Sequence, residues 1–536
     1  MGYDVVIIGG GHNSLVCACY LAGAGLKVRV LERRAIVGGA AVTEEFAPGF
    51  RNSTAAYTVS LLNPKVIREL KLAEHGLRIV ERPFSNFLPL PGGRSFRLGP
   101  TLVDTQKELA RFSSRDAGRL PDYYRTIETA ADALRALVLE TPPNLGGGWR
   151  NGLRALAFGG RLACLARPAQ RDLWEIVTRS AGDLLDFWFE SDPIKAVFGF
   201  DGIVGTYESP YAPGTAYVLL HHVFGEVNGK KGAWGHAIGG MGAISEAIAK
   251  EARARGVEIT TGAEVAAVRV KSGRATGVAL ADGDEIEARA IAAGINPKLL
   301  YLKLVETQAL DPEFRSRIER WKCASGSFRM NVALAELPDF ACLPGKNAQA
   351  HHSSGIIMAP SLPYMERAYF DARTGGFSRE PIVEMLIPST VDPSLTPPGR
   401  HVASLFCQHF NPVLPDGRNW DDTKESAADA IVETVNRYAP NFKSSILARS
   451  ILSPLDLERE FGLIGGDIFH GALTLDQLWS ARPVLGYADY RAPIKGLYLC
   501  GAGTHPGGGV TGIPGHNAAR EIIKDFRSGK MKQKNK

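Results

Sequence analysis

The stretch that decides the fold is YDVVIIGGGHNSLVCACYLAGAGLKVRVLERR, from Tyr3 to Arg34. Val5 to Ile8 is a short run of β-branched residues, as expected for a central parallel strand that is buried on both faces. Glycines follow, and an apolar helix then begins with its N-terminal N–H groups free to bind an anion. A second strand, from Lys27 to Leu31, leads to Glu32, which stands 23 positions after Gly9. This order of elements predicts a βαβ unit that binds a dinucleotide.

The glycine pattern within this stretch is imperfect, because it reads GxGxxS with Ser14 at the third position. That position mainly needs a small residue that lets the helix pack closely on the strand, so serine is acceptable. Gly9 and Gly11 would allow a tight turn and the close approach of a diphosphate, and Glu32 would bind a ribose. The alternative is a glycine-rich turn in another kind of βαβ unit, and the surrounding elements argue against it.

Length and composition indicate an ordinary globular protein. The 536 residues are 45% apolar and 22% charged, which predicts two domains or one heavily inserted domain. The net charge of +6 is spread along the chain, and we expect no nucleic-acid partner. The seven scattered cysteines indicate reduced thiols. Because no run is apolar enough to span a membrane and the first strand begins too early for a signal peptide, we expect a cytoplasmic protein.

The C-terminal tail carries Lys530, Lys532, Lys534 and Lys536. A solvated, disordered tail is one interpretation, and a contact with an anionic membrane or a partner is the other. No amphipathic anchor stands out elsewhere in the sequence.

Two further glycine-rich segments lie far apart in the chain. Gly38 and Gly39, followed by Ala40 and Ala41, form either an ordinary turn or a stretch of bare main chain against which a flat cofactor can lie. Near the C-terminus a strand, Gly496 to Cys500, is followed by GAGTHPGGGVTGIPGHNAA. Because turn-making alone does not need so many glycines, we expect this loop to meet a cofactor as well.

A second nicotinamide-type site is not expected. The segment GGMGAISEAIA, from Gly239, opens a helix, but the residues before it do not predict a buried strand and no acid-terminated strand follows. Cys17 and Cys19 stand two apart on a helix and so face different directions, which argues against a redox dithiol. Three alternating runs, 265–270, 275–280 and 285–292, predict an antiparallel meander.

The remaining segments predict a second domain of mixed α+β structure. Helices are expected at 104–113, 121–139 and 172–189, and strands at 328–334, 382–387 and 401–406. Two spatial domains would then alternate along the chain. The dinucleotide-binding domain would comprise 1–76, 232–300 and 492–527, the mixed domain 77–231 and 301–491, and the basic tail 528–536.

Together these motifs resemble the phytoene desaturase-like branch of the FAD-dependent oxidoreductases, which includes carotenoid desaturases and ketolases and retinol saturase. Within it, the chain is most similar to the pyridine nucleotide-disulfide oxidoreductase domain-containing group. The resemblance implies an α/β fold, with a Rossmann-like FAD-binding domain of the glutathione reductase/amine oxidase type and a discontinuous mixed α+β substrate domain. The segments that carry it are VVIIGGGHNSLVCACYL, LERRAIVGGAAVTEEFAPGF, APGTAYVLLHHVFGE, GGMGAISEAIA, GDIFHGALTLDQLWSARP and GLYLCGAGTHPGGGVTGIPGHNAA.

The same resemblance implies bound FAD and a set of residues that contact it. Two departures move the chain away from the amine oxidase branch: Ala40 stands where amine oxidases carry an arginine, and Ala502 stands where many relatives have an acid. The implied FAD-binding residues are Gly9, Gly11, Ser14, Glu32, Arg34, Gly38, Gly39, Ala40, Ala41, Val265, Gly501, Ala502, Gly509, Gly512 and Ile513.

The implied reaction is a two-electron desaturation of an apolar or alicyclic small molecule, with hydride passing to flavin N5. Candidate catalytic residues are His505, His470 and His222, because the pKa of histidine suits proton transfer near neutrality. A structural hydrogen bond within the C-terminal glycine loop is the alternative role for His505. His221 and His222 are adjacent and lack a third ligand, so we expect no metal site.

Other functions remain open at this stage. The chain could be an amine or amino-acid oxidase on the same fold, with an aromatic cage at the flavin, or a regulatory flavoprotein without turnover. Electrons would leave to oxygen, a quinone or another carrier, and reduction of FAD by NADPH at a transient site is a further alternative. A lipophilic substrate would favour peripheral membrane contact.

Overall fold

The computed structural model describes residues 2–145, 148–345 and 347–531. The strands are, in chain order, β1 (Tyr3–Ile8), β2 (Val28–Leu31), β3 (Thr43–Ala47), β4 (Phe50–Ser53), β5 (Ile79–Glu81), β6 (Asn86–Leu90), β7 (Arg94–Leu98), β8 (Glu226–Val227), β9 (Lys230–Lys231), β10 (Gly235–Ala237), β11 (Glu258–Thr260), β12 (Val265–Lys271), β13 (Arg274–Leu280), β14 (Glu285–Ala293), β15 (Phe328–Leu334), β16 (Gly355–Met358), β17 (Phe377–Leu386), β18 (His401–Phe410), β19 (Ile446–Leu452) and β20 (Leu497–Leu499).

The helices follow the same chain order. They are α1 (His12–Gly23), α2 (Pro64–Glu69), α3 (Leu102–Ala110), α4 (Ser114–Val138), α5 (Trp149–Ala163), α6 (Arg167–Thr178), α7 (Ala181–Trp188), α8 (Asp192–Ile203), α9 (Thr215–His222), α10 (Gly242–Ala254), α11 (Pro297–Leu299), α12 (Pro312–Glu319), α13 (Leu362–Gly375), α14 (Trp420–Tyr438), α15 (Phe442–Ser445), α16 (Pro454–Phe461) and α17 (Ile513–Arg527).

The first large sheet is built around β1. Its order is β11-β2-β1-β14-β13-β12, and β20 also pairs with β14. The pairs β1–β2, β1–β14, β2–β11 and β14–β20 are parallel, whereas β12, β13 and β14 form an antiparallel meander. The predicted βαβ unit, the meander and the C-terminal strand are therefore confirmed. They form one sheet because β14 pairs in parallel with β1 and β20 and antiparallel with β13.

Three helices, α1, α10 and α17, pack together beside this sheet. The approach of α17 to α1 is close: a Cβ at Gly515 would lie only 2.0 Å from the Asn13 carbonyl oxygen. The thiol of Cys17 contacts Cys500 on this side of the sheet, and that hydrogen bond together with burial raises its pKa well above the usual value. None of the seven cysteines, all of which the structure describes, forms a disulfide.

The second large sheet carries the outlying segments. Its order is β19-β15-β18-β17-β16-β6-β7, and every pair is antiparallel except β6 with β16. The three strands predicted at 328–334, 382–387 and 401–406 are β15, part of β17 and part of β18. Because β6 and β7 come from residues 86–98, the sheet joins both mixed segments of the chain. The exact domain boundaries remain a prediction.

The helices of the first mixed segment differ from the prediction at two points. α4 begins before Pro121 because Ser113 caps it, accepting a hydrogen bond from the Asp116 N–H at 3.1 Å. Proline leaves the Ala117 carbonyl without its helical donor, and the side chain of Gln106 supplies one at 2.8 Å. The single helix expected at 172–189 is wrong, since α6 ends at Thr178 and α7 begins after the Ser180 cap.

The C-terminal tail is only partly described. Met531 is 3% exposed, and Lys530 Nζ lies 3.2 Å from a carboxylate oxygen of Asp525, so the tail begins as a packed segment rather than a solvated one. Lys532, Lys534 and Lys536 lie outside the described residues. Within the described residues, no helix is both long enough and apolar enough to cross a bilayer.

Candidate active site

An elongated cavity runs from the carboxyl end of β1 to the second sheet. It encloses about 2030 Å³ of space between protein atoms, including its open mouth. Of the residues that the sequence indicated, eleven line the cavity and seven do not. The lining residues are Gly9, Gly11, Glu32, Arg34, Gly39, Ala40, Val265, Ala502, Gly509, His222 and His470. The others are Ser14, Gly38, Ala41, Gly501, Gly512, Ile513 and His505.

The turn after β1 and the uncapped N-terminus of α1 border the cavity. Gly9 has a φ of 88°, a left-handed conformation that glycine adopts without strain. Gly11 precedes α1 in extended conformation, no side chain caps the helix, and its first turn carries no acid. His12 Nε2 and Asn13 Oδ1 are buried beside it without a hydrogen-bond partner. A helix N-terminus of this kind fits a diphosphate.

Glu32 closes the next part of the wall and is 6% exposed. One carboxylate oxygen accepts from the Gly10 N–H at 2.6 Å and the other from the Arg34 N–H at 2.8 Å. Arg34 donates to Glu44 at 2.8 Å and lies over the ring of Phe461, while its Nη1 is buried without a partner. An acid held by main-chain donors and an arginine with one spare donor suit a ribose and its adjoining phosphate.

The segment from Gly38 to Ala41 lies directly against the glycine turn. The Gly38 N–H donates to the Gly10 carbonyl at 2.9 Å, and a Cβ at Gly39 would lie 3.2 Å from Gly11 Cα. Gly39 and Ala40 face the cavity, whereas Gly38 and Ala41 lie behind them. Bare main chain therefore borders the cavity here, as a flat ring system requires.

Ser14 does not face the cavity. Its side chain is fully buried at the contact between α1 and the end of β14, where its Oγ would be 1.8 Å from a Cβ at Gly294. Ser14 therefore fills space between helix and sheet, and its Oγ has no hydrogen-bond partner. The residue at the third position of the glycine motif therefore allows close packing of helix on sheet, which the small size of serine had suggested.

The C-terminal glycine loop forms the opposite wall, through Ala502, Gly509 and Val510. Gly501 lies behind it, since a Cβ there would be 2.7 Å from the Gly294 carbonyl oxygen. Gly512, with a φ of 73°, immediately precedes α17, and Ile513 is the first residue of that helix. The loop is thus close-packed against β14 and α1, and only its middle reaches the cavity.

Arg482 holds this loop in place, and sequence reasoning did not single it out. The side chain is fully buried and donates to six main-chain carbonyls, at 2.8 to 3.3 Å. Burial lowers its pKa to about 10, so it stays protonated at neutral pH. The six carbonyls belong to Phe469, Gly471, Ala472, Gln477, Ala502 and Thr504.

The three candidate histidines occupy different places. His222 and His470 line the cavity, and burial lowers the pKa of each to about 4. His222 Nδ1 donates to the Val218 carbonyl at 2.9 Å, whereas His470 Nδ1 is buried without a partner. His505 lies outside the lining, with Nε2 3.4 Å from the Leu137 carbonyl. This contact reaches the last turn of α4 rather than another residue of the glycine loop.

Aromatic side chains that the sequence did not single out form the far end of the cavity. The ring of Tyr57 stacks on Phe406 with centroids 5.1 Å apart, and His222 stacks on Trp234 at 6.0 Å. Tyr57 donates to Glu384 at 2.5 Å, and burial raises the pKa of both groups. Tyr57 and Phe406 are more than 300 positions apart in the sequence and meet only in the folded protein. No local sequence pattern could therefore have predicted their contact.

No cluster of three or more potential metal ligands occurs in the part of the chain that the structure describes.

Comparisons with known proteins agree with this geometry. Residues 15–327 match the sequence profile of the family described as flavin containing amine oxidoreductase. The chain is 42% identical to pyridine nucleotide-disulfide oxidoreductase domain-containing protein 2 of Rattus norvegicus, over 98% of this chain and 94% of the relative. It is 25% identical to a limonene dehydrogenase chain of Castellaniella defragrans, over 98% and 95%. Among solved structures, an oxidoreductase from Methanosarcina mazei matches with a TM-score of 0.60 at 16% identity, over 97% and 99%.

Proposed function

We propose, from the premise that this chain belongs to the flavin containing amine oxidoreductase family and is an FAD-dependent enzyme, that it dehydrogenates an apolar or alicyclic small molecule. Glu32 and the N-terminus of α1 would hold the ribose and diphosphate of FAD. Gly39, Ala40, Ala502 and Gly509 would border its ring system. The substrate would occupy the aromatic end of the cavity.

The composition of that aromatic end carries the proposal. Aliphatic and aromatic groups form it, including Val204, Ile468 and Phe469. The acidic side chains that line the cavity lie instead near Glu32 and Arg34. Glu264 is next to Ala263, whose N–H donates to the Glu32 carbonyl. Glu460 is next to Phe461, and Arg34 lies over the ring of Phe461. Such a wall favours a hydrocarbon or an alicyclic ring over a charged substrate.

The protonation state of the histidines fits an oxidation that starts with the C–H bond. Bound FAD supplies a two-electron acceptor that can take hydride at N5. His222 and His470, with pKa values of about 4, are neutral at pH 7 and are weak bases. A weak base does not remove a proton from an unactivated carbon, but it suffices once hydride loss has made the neighbouring proton acidic. Of the two, His470 is the candidate acceptor, because its Nδ1 has no hydrogen-bond partner whereas His222 Nδ1 donates to the Val218 carbonyl.

Amine oxidation is the second candidate, because Trp234 and Phe469 also line the cavity and aromatic faces attract a protonated amine. The limonene dehydrogenase chain among the relatives and the absence of an arginine at position 40 support the first candidate.

Anaerobic mixing of the FAD-loaded protein with substrates of each class tests the proposal. We expect cyclic and linear hydrocarbons to bleach the flavin absorbance, and amines and keto acids to leave it unchanged. Bleaching by amines with release of peroxide in air would establish the second candidate. Failure of every substrate to bleach a fully loaded flavin would favour a regulatory flavoprotein. Reoxidation by oxygen or by a soluble quinone then identifies the electron acceptor.

A matched pair of variants tests the site itself. Ile468→Asn places an amide in the proposed substrate wall, whereas Leu447→Asn changes an exposed side chain on β19. We expect the first to slow flavin reduction by a hydrocarbon at least about fivefold, since one unpaired polar group in an apolar site costs about 1–3 kcal/mol. The second should leave the rate unchanged. Equal rates in both variants would exclude this end of the cavity as the substrate site.

A further inference from the structure

One helical surface exposes large apolar side chains to an unusual degree. Leu153 and Leu156 on α5 are 55% and 72% exposed, and Trp174 on α6 is 71% exposed. α5 has fifteen residues, yet none of its described side chains is buried. A surface helix of a globular protein normally turns its leucines toward the core.

The orientation of α5 explains this exposure. At 3.6 residues per turn, positions 149, 153, 156 and 160 share an arc of about 60°. Trp149, at the start of that arc, is 73% exposed, so the arc points to solvent. Leu162, near the opposite side of the helix, packs against the core of the first mixed segment. The helix α5 therefore has two apolar faces. One contains Leu162 and packs against the core, and the other, the outward arc, faces solvent.

Basic residues accompany this apolar face. Residues 149–174 contain five arginines and one aspartate. Arg167 and Arg171 are exposed one turn apart on α6, and with Gln170 and Trp174 they line a shallow open depression. Arg161, 57% exposed, is paired with Glu140. The surface combines an apolar stripe with a concentration of positive charge.

We propose that this surface, residues 149–174, docks on a membrane that contains anionic lipid. Leu153, Leu156 and Trp174 enter the interface between headgroups and acyl chains, and Arg167 and Arg171 contact the phosphates. A helix with leucine and tryptophan on one face and arginine beside it is the kind that lies in the plane of a membrane surface. From the sequence alone, no amphipathic anchor stood out.

Charge complementarity selects the membrane over a second copy of the chain. In a twofold dimer the same patch faces itself, so the exposed Arg167 and Arg171 of one copy would confront those of the other. Like charges facing each other in this way oppose association. An anionic bilayer offers both the negative charge and the apolar layer that the surface lacks.

Flotation of the FAD-loaded full chain with vesicles tests the proposal. We expect binding to vesicles of phosphatidylcholine mixed with phosphatidylglycerol, weaker binding at high salt, and little binding to phosphatidylcholine alone. The double variant Arg167→Glu/Arg171→Glu should lower the partition coefficient at least about 30-fold, from roughly a fivefold loss for each charge removed. The matched control is Lys250→Glu/Arg253→Glu, two exposed bases on α10, and it should lose much less.

The apolar contribution has its own pair of variants. Leu153→Ser/Leu156→Ser/Trp174→Ser should abolish flotation, whereas Val413→Ser/Leu447→Ser/Leu485→Ser, at exposed positions elsewhere, should not. Retained flavin absorbance and an unchanged unfolding temperature show that each variant is folded. Equal binding to neutral and anionic vesicles, equal loss in variant and control, or concentration-dependent dimerisation without flotation would each overturn the proposal.

Discussion

The contact between Ser14 and Gly294 allows a quantitative test of how the first helix is seated. In Gly294→Ala the new Cβ would lie 1.8 Å from Ser14 Oγ and 3.2 Å from Ser14 Cβ. The hydroxyl can rotate away at little cost because it makes no hydrogen bond. The contact at 3.2 Å remains and is too short, so α1 must shift. We expect a loss of about 2 kcal/mol, within the range of about 1–3 kcal/mol for overpacking.

A second change should relieve that strain. In Ser14→Gly/Gly294→Ala the nearest remaining atom to the new Cβ is the Ile8 carbonyl oxygen at 3.6 Å, an ordinary contact. Ser14→Gly alone should cost only about 0.5 kcal/mol, the difference in helix propensity. The double variant should therefore be more stable than Gly294→Ala, with a coupling of about 2 kcal/mol.

The assay is thermal unfolding of the FAD-loaded protein, followed by flavin release and by circular dichroism. Gly118→Ala is the control, because Gly118 lies in α4 with no atom within 4 Å of the added Cβ, and this change should be neutral or stabilising. If the double variant unfolds at the same temperature as Gly294→Ala, or below it, Ser14 does not set the spacing between helix and sheet.

Three further outcomes are expected. Glu32→Gln should weaken the affinity for FAD about 10-fold or more, because the Gly10 and Arg34 N–H groups lose their charged acceptor. Flavin fluorescence on dilution measures the FAD that is released. An unchanged affinity would exclude the Glu32 carboxylate from the FAD site. Arg482→Met should lower the free energy of unfolding in denaturant by roughly 3–5 kcal/mol, because it leaves buried carbonyls and Asp467 without their cation. A loss below about 1 kcal/mol would refute the role of Arg482 in holding the glycine loop. The folded-state pKa of His505, about 4, lies below the unfolded value of about 6.5, so stability is lost as pH falls from 6.5 toward 4, and the loss reaches about 1.4 kcal/mol at pH 5.5. His505→Gln should therefore make the fall of the unfolding temperature in that window less steep, and an unchanged slope would contradict the buried neutral state.

The sequence predicted those parts of the fold whose signals are local. The run from Val5 to Ile8, the glycine turn and the acid at Glu32 each follow from neighbouring residues. The meander at 265–292 was equally visible, because alternation with short turns is a local pattern.

The rest depends on contacts between distant segments. No periodicity places β6 beside β16, or Tyr57 on Phe406, since these pairs form only when the second sheet assembles. Arg482 stands in a loop without regular structure, and its six acceptors come from two separate segments. His505 follows the strand that leads to the cavity, yet its side chain points to the end of α4, an orientation that sequence position does not specify.

The parallel pair β14–β20 has a consequence for how the protein is made. Synthesis runs from the N-terminus, so the ribosome releases β1, β2 and the meander long before Leu497–Leu499. Until β20 and the segments after it emerge, β14 has an open edge, α1 lacks the contact with α17, and Ala502, Gly509 and Val510 are missing from the wall. The nascent chain can begin the first large sheet early, but it can complete the proposed cofactor cavity only after β20 and the glycine loop that follows it have been translated.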